Sequence, residues 1–201
     1  SSNPDEHFFD GVMQRATALL EGQGLPPEEA DAQRERLLAG FRWMLVDEYQ
    51  DIGPAQYALI GALAGRSRQA EDTRLSLFAV GDDDQNIYAF AGASVQFIRQ
   101  FETDYKASTE FLVENYRSSA HIIACANRLI APAAQRLKAE HPIRIDRQRR
   151  NAPPGGRWQA LDPVARGRVL RLAPAPDALA QAMQALDALR RLAALDPAWD
   201  W

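Results

Sequence analysis

The chain has 201 residues, 46% apolar and 25% charged, with a net charge of −4 and one cysteine. That length buries a sizeable core in one large domain or two small ones. Cys125 alone excludes a disulfide framework and a cysteine-based zinc site, His7, His121 and His141 are too scattered for a metal cluster, and no apolar run reaches the length of a membrane span. No membrane partner is expected, no signal-peptide pattern opens the chain, and a reducing, cytoplasmic setting is the default.

In chain order, Phe8, Phe9, Val12, Met13, Ala16, Leu19 and Leu20 repeat at helical spacing and end at Gly22 and Gly24. A weaker helix follows Pro26-Pro27 and reaches Leu37-Leu38 before Gly40. The apolar run Met44-Leu45-Val46 predicts a fully buried strand that exits into Asp47-Glu48-Tyr49-Gln50-Asp51. Gly53-Pro54 opens the next helix, with a face of Tyr57, Ile60, Leu63 and Ala64, and Gly65 closes it. Leu75 to Val80 predicts a second buried strand that exits into Gly81-Asp82-Asp83-Asp84-Gln85, and Ser94 is expected to cap a short helix carrying Phe97, Ile98 and Phe101. A third strand, Glu110–Glu114, exits into Asn115-Tyr116-Arg117, with Ser118 or Ser119 as cap for a helix striped by Ile122, Ile123, Ala126, Leu129 and Ile130. Three strand–helix alternations are the pattern of an α/β fold with a parallel sheet and crossover helices.

From about Pro142 the texture changes to a proline-rich connection, with a strand expected at Val169–Leu172 and a last helix through Leu179, Met183, Leu186, Leu189 and Leu192. Between Arg144 and Arg171 eight arginines stand against Asp146 and Asp162 only. This segment reads either as a solvated loop or as a surface that tracks phosphates.

The strand exits carry the chemistry. In open α/β sheets the ligand crevice lies beyond the carboxyl ends of the strands. An aspartate there holds Mg2+ with one or two carboxylates, and an adjacent glutamate polarises an attacking water. Taken alone, Asp47-Glu48 reads first as an exposed acidic turn. Gln85 has an amide that can donate to a phosphate oxygen, and by itself it is equally a solvated turn residue. Arg117 offers a fork suited to phosphate, and Tyr116 a ring suited to a base, though a structural ion pair and a buried tyrosine are as natural. Tyr88 and Phe90 alternate among small residues, and single-strand binders use such aromatics as stacking platforms.

Jointly these segments are more specific. Leu45-Val46-Asp47-Glu48-Tyr49-Gln50-Asp51 resembles the Walker B motif of superfamily-1A DNA helicases of the UvrD/Rep/PcrA type. Gly81-Asp82-Asp83-Asp84-Gln85-Asn86-Ile87-Tyr88 is similar to their third motif, and Glu114-Asn115-Tyr116-Arg117-Ser118 to their fourth. The match covers roughly residues 40 to 131 in the family's order and spacing. The phrase Asp-Glu-Tyr-Gln-Asp-Ile and the arginine-rich segment also resemble UvrD-like modules fused to RecQ-type helicases.

The resemblance implies a RecA-like (P-loop NTPase type) parallel sheet with flanking helices, truncated, and the start of a second RecA-like core. Residues 1–105 would be the C-terminal part of the first core and 106–201 the N-terminal part of the second. It implies ATP and Mg2+ as cofactors, with single-stranded and duplex DNA and the rest of a parent helicase chain as partners. Asp47 would take Mg2+ and Glu48 would be the catalytic base. Gln85 would contact the γ-phosphate, Tyr116 would stack on the adenine, and Arg117 would reach the γ-phosphate. Tyr88 and Phe90 would contact single-stranded DNA.

Two departures stand out. Ala91 replaces the arginine common after the aromatic of the third motif. No Gly-x-x-x-x-Gly-Lys-Ser/Thr loop is present, since the only lysines are Lys106 and Lys138 and neither has the glycines. The expectation is therefore a middle fragment of an ATP-dependent DNA helicase that does not hydrolyse ATP alone. The rivals are a non-hydrolysing nucleic-acid or protein binding module and a two-metal nuclease built on Asp47, Glu48 and Asp82–Asp84.

Overall fold

The computed structural model describes residues 4–68, 71–86, 95–134 and 136–199. The chain divides into two compact units, Ser1–Thr109 and Glu110–Trp201.

The first unit runs α1 (Pro4–Leu20), α2 (Pro27–Leu37), β1 (Trp43–Val46), α3 (Pro54–Ala64), β2 (Ser76–Ala79) and α4 (Gln96–Tyr105). Single 3-10 turns follow both strands, at Tyr49–Asp51 and Asp83–Gln85. Local chemistry explains the helix ends. Pro27 and Pro54 sit at first helical positions, where no amide donor is needed. Glu28 and Glu29 open α2 and Arg34 and Arg36 close it, matching the helix dipole. Gln56 reaches back to accept the Gly53 N–H at 3.1 Å, and Gly65 ends α3 in the left-handed region. The expected cap Ser94 lies outside the described residues.

β1 and β2 pair in parallel, Met44 opposite Leu77 and Val46 opposite Ala79, with α3 as the crossover. These four side chains, with Tyr57, Ile98 and Phe101, pack against a buried cluster of Tyr49, Ile52, Ile60 and Phe97. Tyr57 stacks on Phe97 with ring centres 4.3 Å apart, and Tyr49 meets Phe101 edge-on at 5.2 Å. Burial and a 2.6 Å hydrogen bond to Asp104 push the Tyr57 phenol up to about 12, so it stays a neutral donor.

The strands are not buried on both faces as their apolar runs suggested. Trp43, Leu45 and Phe78 alternate with the core residues and are exposed, Leu45 to 75%. Only one layer of described helices covers this sheet, whereas parallel sheets usually carry a layer on each face. Period-2 alternation then puts every second apolar side chain in solvent.

Arg34 ties α2 to the end of α3. It is 5% exposed, and its guanidinium donates to the Ala62 and Leu63 carbonyls at 2.5 and 2.7 Å. It thereby supplies a donor to the Leu63 carbonyl at the helix end and a second donor to the Ala62 carbonyl, which also accepts the Gly65 N–H at 3.3 Å.

The second unit contains β3 (Glu114–Asn115), α5 (Ala120–Ile130), β4 (Arg144–Ile145), α6 (Trp158–Leu161) and α7 (Ala178–Leu195). β3 and β4 pair in parallel, Glu114 opposite Arg144 and Asn115 opposite Ile145. The strand expected at Glu110–Glu114 is therefore reduced to its last residue and the next one. The strand expected at Val169–Leu172 is irregular backbone with Val169, Leu170 and Leu172 exposed. No described strand lies beside it to complete a ladder, and apolar residues alone do not make one. Ser119 occupies the cap position of α5 but makes no side-chain capping bond.

Three buried aspartates organise this unit. Asp146 accepts from the Gln148 and Arg149 amides at 3.0 and 3.1 Å and from Arg149 Nε. Asp162 accepts from the Val164 and Ala165 amides, both at 3.0 Å, and from Arg191 of α7 at 3.0 Å. Asp196 accepts from the Ala198 amide and from the Arg157 guanidinium. Each carboxylate thus fixes a turn and holds one arginine, a charge-assisted arrangement stronger than neutral hydrogen bonds.

Two predictions follow from these anchors. Arg34→Met removes the described donor to the Leu63 carbonyl and one of two donors to the Ala62 carbonyl, and should destabilise the chain by about 1–3 kcal/mol in urea unfolding. The second concerns pH. The hydrogen bond from Arg191, with the Ala165 and Val164 amides, holds the Asp162 carboxyl below its ordinary value. Burial pushes Asp146 up, but Arg149 and the turn amides outweigh it and hold it low as well. A lowered folded-state value means this stabilisation is complete above the unfolded carboxyl range, about pH 4, and is lost as pH falls through the folded values. Urea unfolding at stepped pH should show a shallower acid loss for Asp162→Asn than for the parent chain.

Candidate functional site

At the carboxyl ends of β1 and β2 the two acidic exits lie side by side. β1 delivers Asp47 and Glu48 to solvent, and the Tyr49 N–H bonds the Val80 carbonyl of the neighbouring exit at 2.9 Å. Asp47 Oδ1 accepts the Glu48 N–H at 2.9 Å, leaving Oδ2 without a partner among the described residues. Glu48 has φ 51° and ψ 43°, the left-handed region that a non-glycine residue rarely enters. Such a conformation persists only where the surroundings impose it, and it clusters at functional sites.

Gln50 imposes it. Its side chain is 1% exposed, and Nε2 donates to Glu48 Oε2 at 2.6 Å and to Asp51 Oδ2 at 3.2 Å. Its Oε1 accepts the Asp82 N–H at 2.9 Å, across to the β2 exit. Its carbonyl accepts Asn86 Nδ2 at 2.5 Å. Asp82 in turn caps the Asp83–Gln85 turn through the Asp84 N–H, and its Oδ2 accepts Gln85 Nε2 at 2.6 Å. A continuous hydrogen-bonded path therefore runs from Glu48 through Gln50 and Asp82 to Gln85. Gly81 lets the exits come this close. A Cβ there would stand 2.8 Å from Ile98 Cδ1 and 3.1 Å from Gln50 Oε1.

Of the residues singled out in the sequence, Asp47, Glu48 and Gln85 are thus assembled at one sheet end. Tyr116 and Arg117 belong to the second unit and are described there. Tyr88 and Phe90 lie outside the described residues. Gln50 carries no sequence signal of its own, since a glutamine among acids resembles a solvated turn residue. Only the Asp82 amide, 32 residues away, reveals its burial.

In the second unit Asn115 shapes the exit of β3. Its Oδ1 accepts the Arg117 and Ser118 N–H groups at 3.0 and 2.7 Å, a local turn that asparagine side chains favour. Arg149 Nη2 donates to the Asn115 carbonyl at 2.6 Å and fixes the turn from below. Tyr116 is 69% exposed, and its hydroxyl donates to Glu114 Oε2 at 3.0 Å, which raises the phenol above its ordinary value. The Arg117 side chain makes no described ion pair, and it lines a cavity of about 320 Å³ with Ser118, Ser119, Ile145, Arg157 and Trp158. Of the eight arginines between Arg144 and Arg171, Arg144 and Arg147 pair with Glu114, Arg149 with Asp146 and Arg157 with Asp196. Half of that basic segment is therefore engaged in holding the second unit together.

Among the described residues no group of three or more His, Cys, Asp or Glu side chains converges on a metal-sized point. Asp47 still suits Mg2+, which takes one or two carboxylates and keeps several waters. Its exposed, unpartnered Oδ2 at a strand end is such a donor. No described helix is long and apolar enough to cross a membrane.

Residues 8–106 match the family described as UvrD/REP helicase N-terminal domain. The chain is 42% identical over 129 residues, 64% of its length, to the ATP-dependent DNA helicase UvrD1 of Mycobacterium tuberculosis. It is 44% identical over 103 residues, 51% of its length, to DNA helicase II of Haemophilus influenzae. With the ATP-dependent DNA helicase PcrA of Staphylococcus epidermidis it shares 43% identity over 97 residues, 48% of its length. The matched regions amount to 16%, 13% and 12% of those relatives.

The close approach at Gly81 yields a prediction. Gly81→Ala crowds Ile98 and the Gln50 amide, so hydrogen-exchange protection of the Asp82 N–H should fall roughly tenfold, the equivalent of one ordinary hydrogen bond. Amide exchange followed by NMR checks it.

Proposed function

We propose a function for a chain that belongs to the UvrD/PcrA-like superfamily-1A helicases: it carries the hydrolytic carboxylates and the phosphate-sensing glutamine of an ATP-dependent DNA helicase. The whole protein would couple ATP hydrolysis to movement along single-stranded DNA and to separation of the duplex. The observation that carries this reading is the hydrogen-bonded path from Glu48 to Gln85, which joins a base candidate to a γ-phosphate-sensor candidate at one sheet end. On this reading the parallel pairs β1–β2 and β3–β4 are parts of two RecA-like cores, residues 1–105 and 106–201.

The roles follow from placement. Glu48 Oε2 is held by Gln50, while Oε1 has no partner among the described residues and is available to take the proton of an attacking water. Gln85 is exposed at the end of its turn, with its carbonyl oxygen free of any described bond, so its amide can turn toward a terminal phosphate. Asp47 would hold Mg2+ through Oδ2. When bound, the ion would neutralise charge on the β- and γ-phosphate oxygens. In the second unit the exposed ring of Tyr116 is suited to stack on adenine, and the guanidinium of Arg117, which makes no ion pair among the described residues, to meet the γ-phosphate. Tyr88 and Phe90 follow the Asp83–Gln85 turn of the first unit in sequence and would stack on bases of single-stranded DNA.

No phosphate loop occurs within these 201 residues, so the β- and γ-phosphates lack their amide cradle and lysine. The chain alone should show no DNA-stimulated ATP turnover in a phosphate-release assay. In the whole protein, Glu48→Gln should reduce that turnover by about 10²–10⁴-fold. Turnover by the isolated chain that Glu48→Gln removes, or full turnover by the whole protein carrying Glu48→Gln, would overturn the proposal.

A further inference from the structure

We infer that Gln50 is a positioning residue that couples Glu48 to the Asp82–Asn86 turn, setting the geometry of both acidic exits through one amide. What the two ends do rests on the function proposed above; the coupling itself rests on geometry alone.

The amide of Gln50 has two donors and one acceptor oxygen, and the surroundings specify all of them. Both donors face carboxylates, Glu48 Oε2 and Asp51 Oδ2, and the oxygen faces the Asp82 N–H. A flipped amide would aim oxygen at two carboxylates and a donor at a donor, so one orientation is enforced. The group is planar and buried, and displacement of the Glu48 carboxylate must carry Oε1 with it.

The receiving turn is held at both ends by this one residue. Asp82 is bonded to the Gln50 side chain and Asn86 to the Gln50 carbonyl. Between them Asp82 holds Gln85. Asn86 is also the last residue before Ile87 to Ser94, the stretch that contains Tyr88 and Phe90. A shift of Gln50 therefore moves the glutamine proposed to read phosphate and the point from which the proposed DNA-contacting stretch departs. No other side chain does this. Glutamate would set a third carboxylate against Glu48 and Asp51, asparagine is one methylene short, and methionine fills the volume without a hydrogen bond.

The test uses two-dimensional 15N NMR of the 201-residue chain and kinetics of the whole protein. In the chain, Glu48→Gln should shift the Asp82 amide and the Gln85 side-chain amide. In a Gln50→Met background the same substitution should leave both unmoved. Gln50→Glu retains the acceptor for Asp82 but loses the donor to Glu48, so it should keep Asp82 hydrogen-exchange protection and still lose the coupling. It also serves where Gln50→Met does not fold. In the whole protein, Gln50→Met or Gln50→Glu should lower kcat for DNA-stimulated ATP hydrolysis by roughly tenfold or more with KM for ATP little changed, the signature of a lost transition-state contact rather than lost binding. Equal Asp82 shifts with and without Gln50, or unchanged kcat in both Gln50 variants, would overturn the inference. Full turnover by Glu48→Gln would instead overturn the proposed function and leave the coupling measured in the chain standing.

Discussion

One buried amide governs the first unit. Side chains on the 3-10 turn after β1 divide their tasks: Tyr49 points into the apolar cluster, and Gln50 bridges the strand exits. Tyr49 is 1% exposed and packs edge-on against Phe101, so the turn is nailed to α4 on one side. On the other side Gln50 holds the acids. Rigid packing below and a fully committed hydrogen-bonding group above give Glu48 a position that a surface loop by itself would not keep. Preorganisation of this kind separates a working carboxylate from one that merely lies near the chemistry.

The second unit is held differently. Among the described residues its buried apolar side chains are Ile123 and Ala165, while Asp146, Asp162 and Asp196 are each almost fully buried. Order there comes from carboxylates that gather turn amides and arginines, so charge pairing takes the place of a large core. The same arrangement reframes the basic segment. Arg144, Arg147, Arg149 and Arg157 are committed to carboxylates, whereas Arg150, Arg166, Arg168 and Arg171 make no described ion pair. Neither a wholly solvated loop nor a uniform phosphate track describes it.

The helices were legible in the sequence because their signals are local. Apolar stripes, proline at first positions and glycine at ends mark α1, α2, α3, α5 and α7 within a residue or a few. Strands were legible where an apolar run had a partner, as in β1 and β2, and illegible where it did not. Val169–Leu172 has the composition of a strand and no described ladder, while Arg144–Ile145, without any strand signature, pairs with β3. Pairing is a long-range property, and two residues carry no period. The site divides the same way. Asp47, Glu48 and Gln85 stood out because carboxylates behind apolar runs are recognisable. Gln50 and Asn115 did not, because their importance lies in backbone groups that fold onto them.

The left-handed backbone at Glu48 has a consequence for how this segment can vary. Holding a glutamate there costs on the order of 1–3 kcal/mol, offset by the contacts around it. Glycine, or asparagine with its tolerance for this region, would relax the backbone while deleting the carboxylate. Stability and the role proposed for Glu48 therefore pull in opposite directions at one position. Selection for folding alone would favour glycine or asparagine over glutamate at this position.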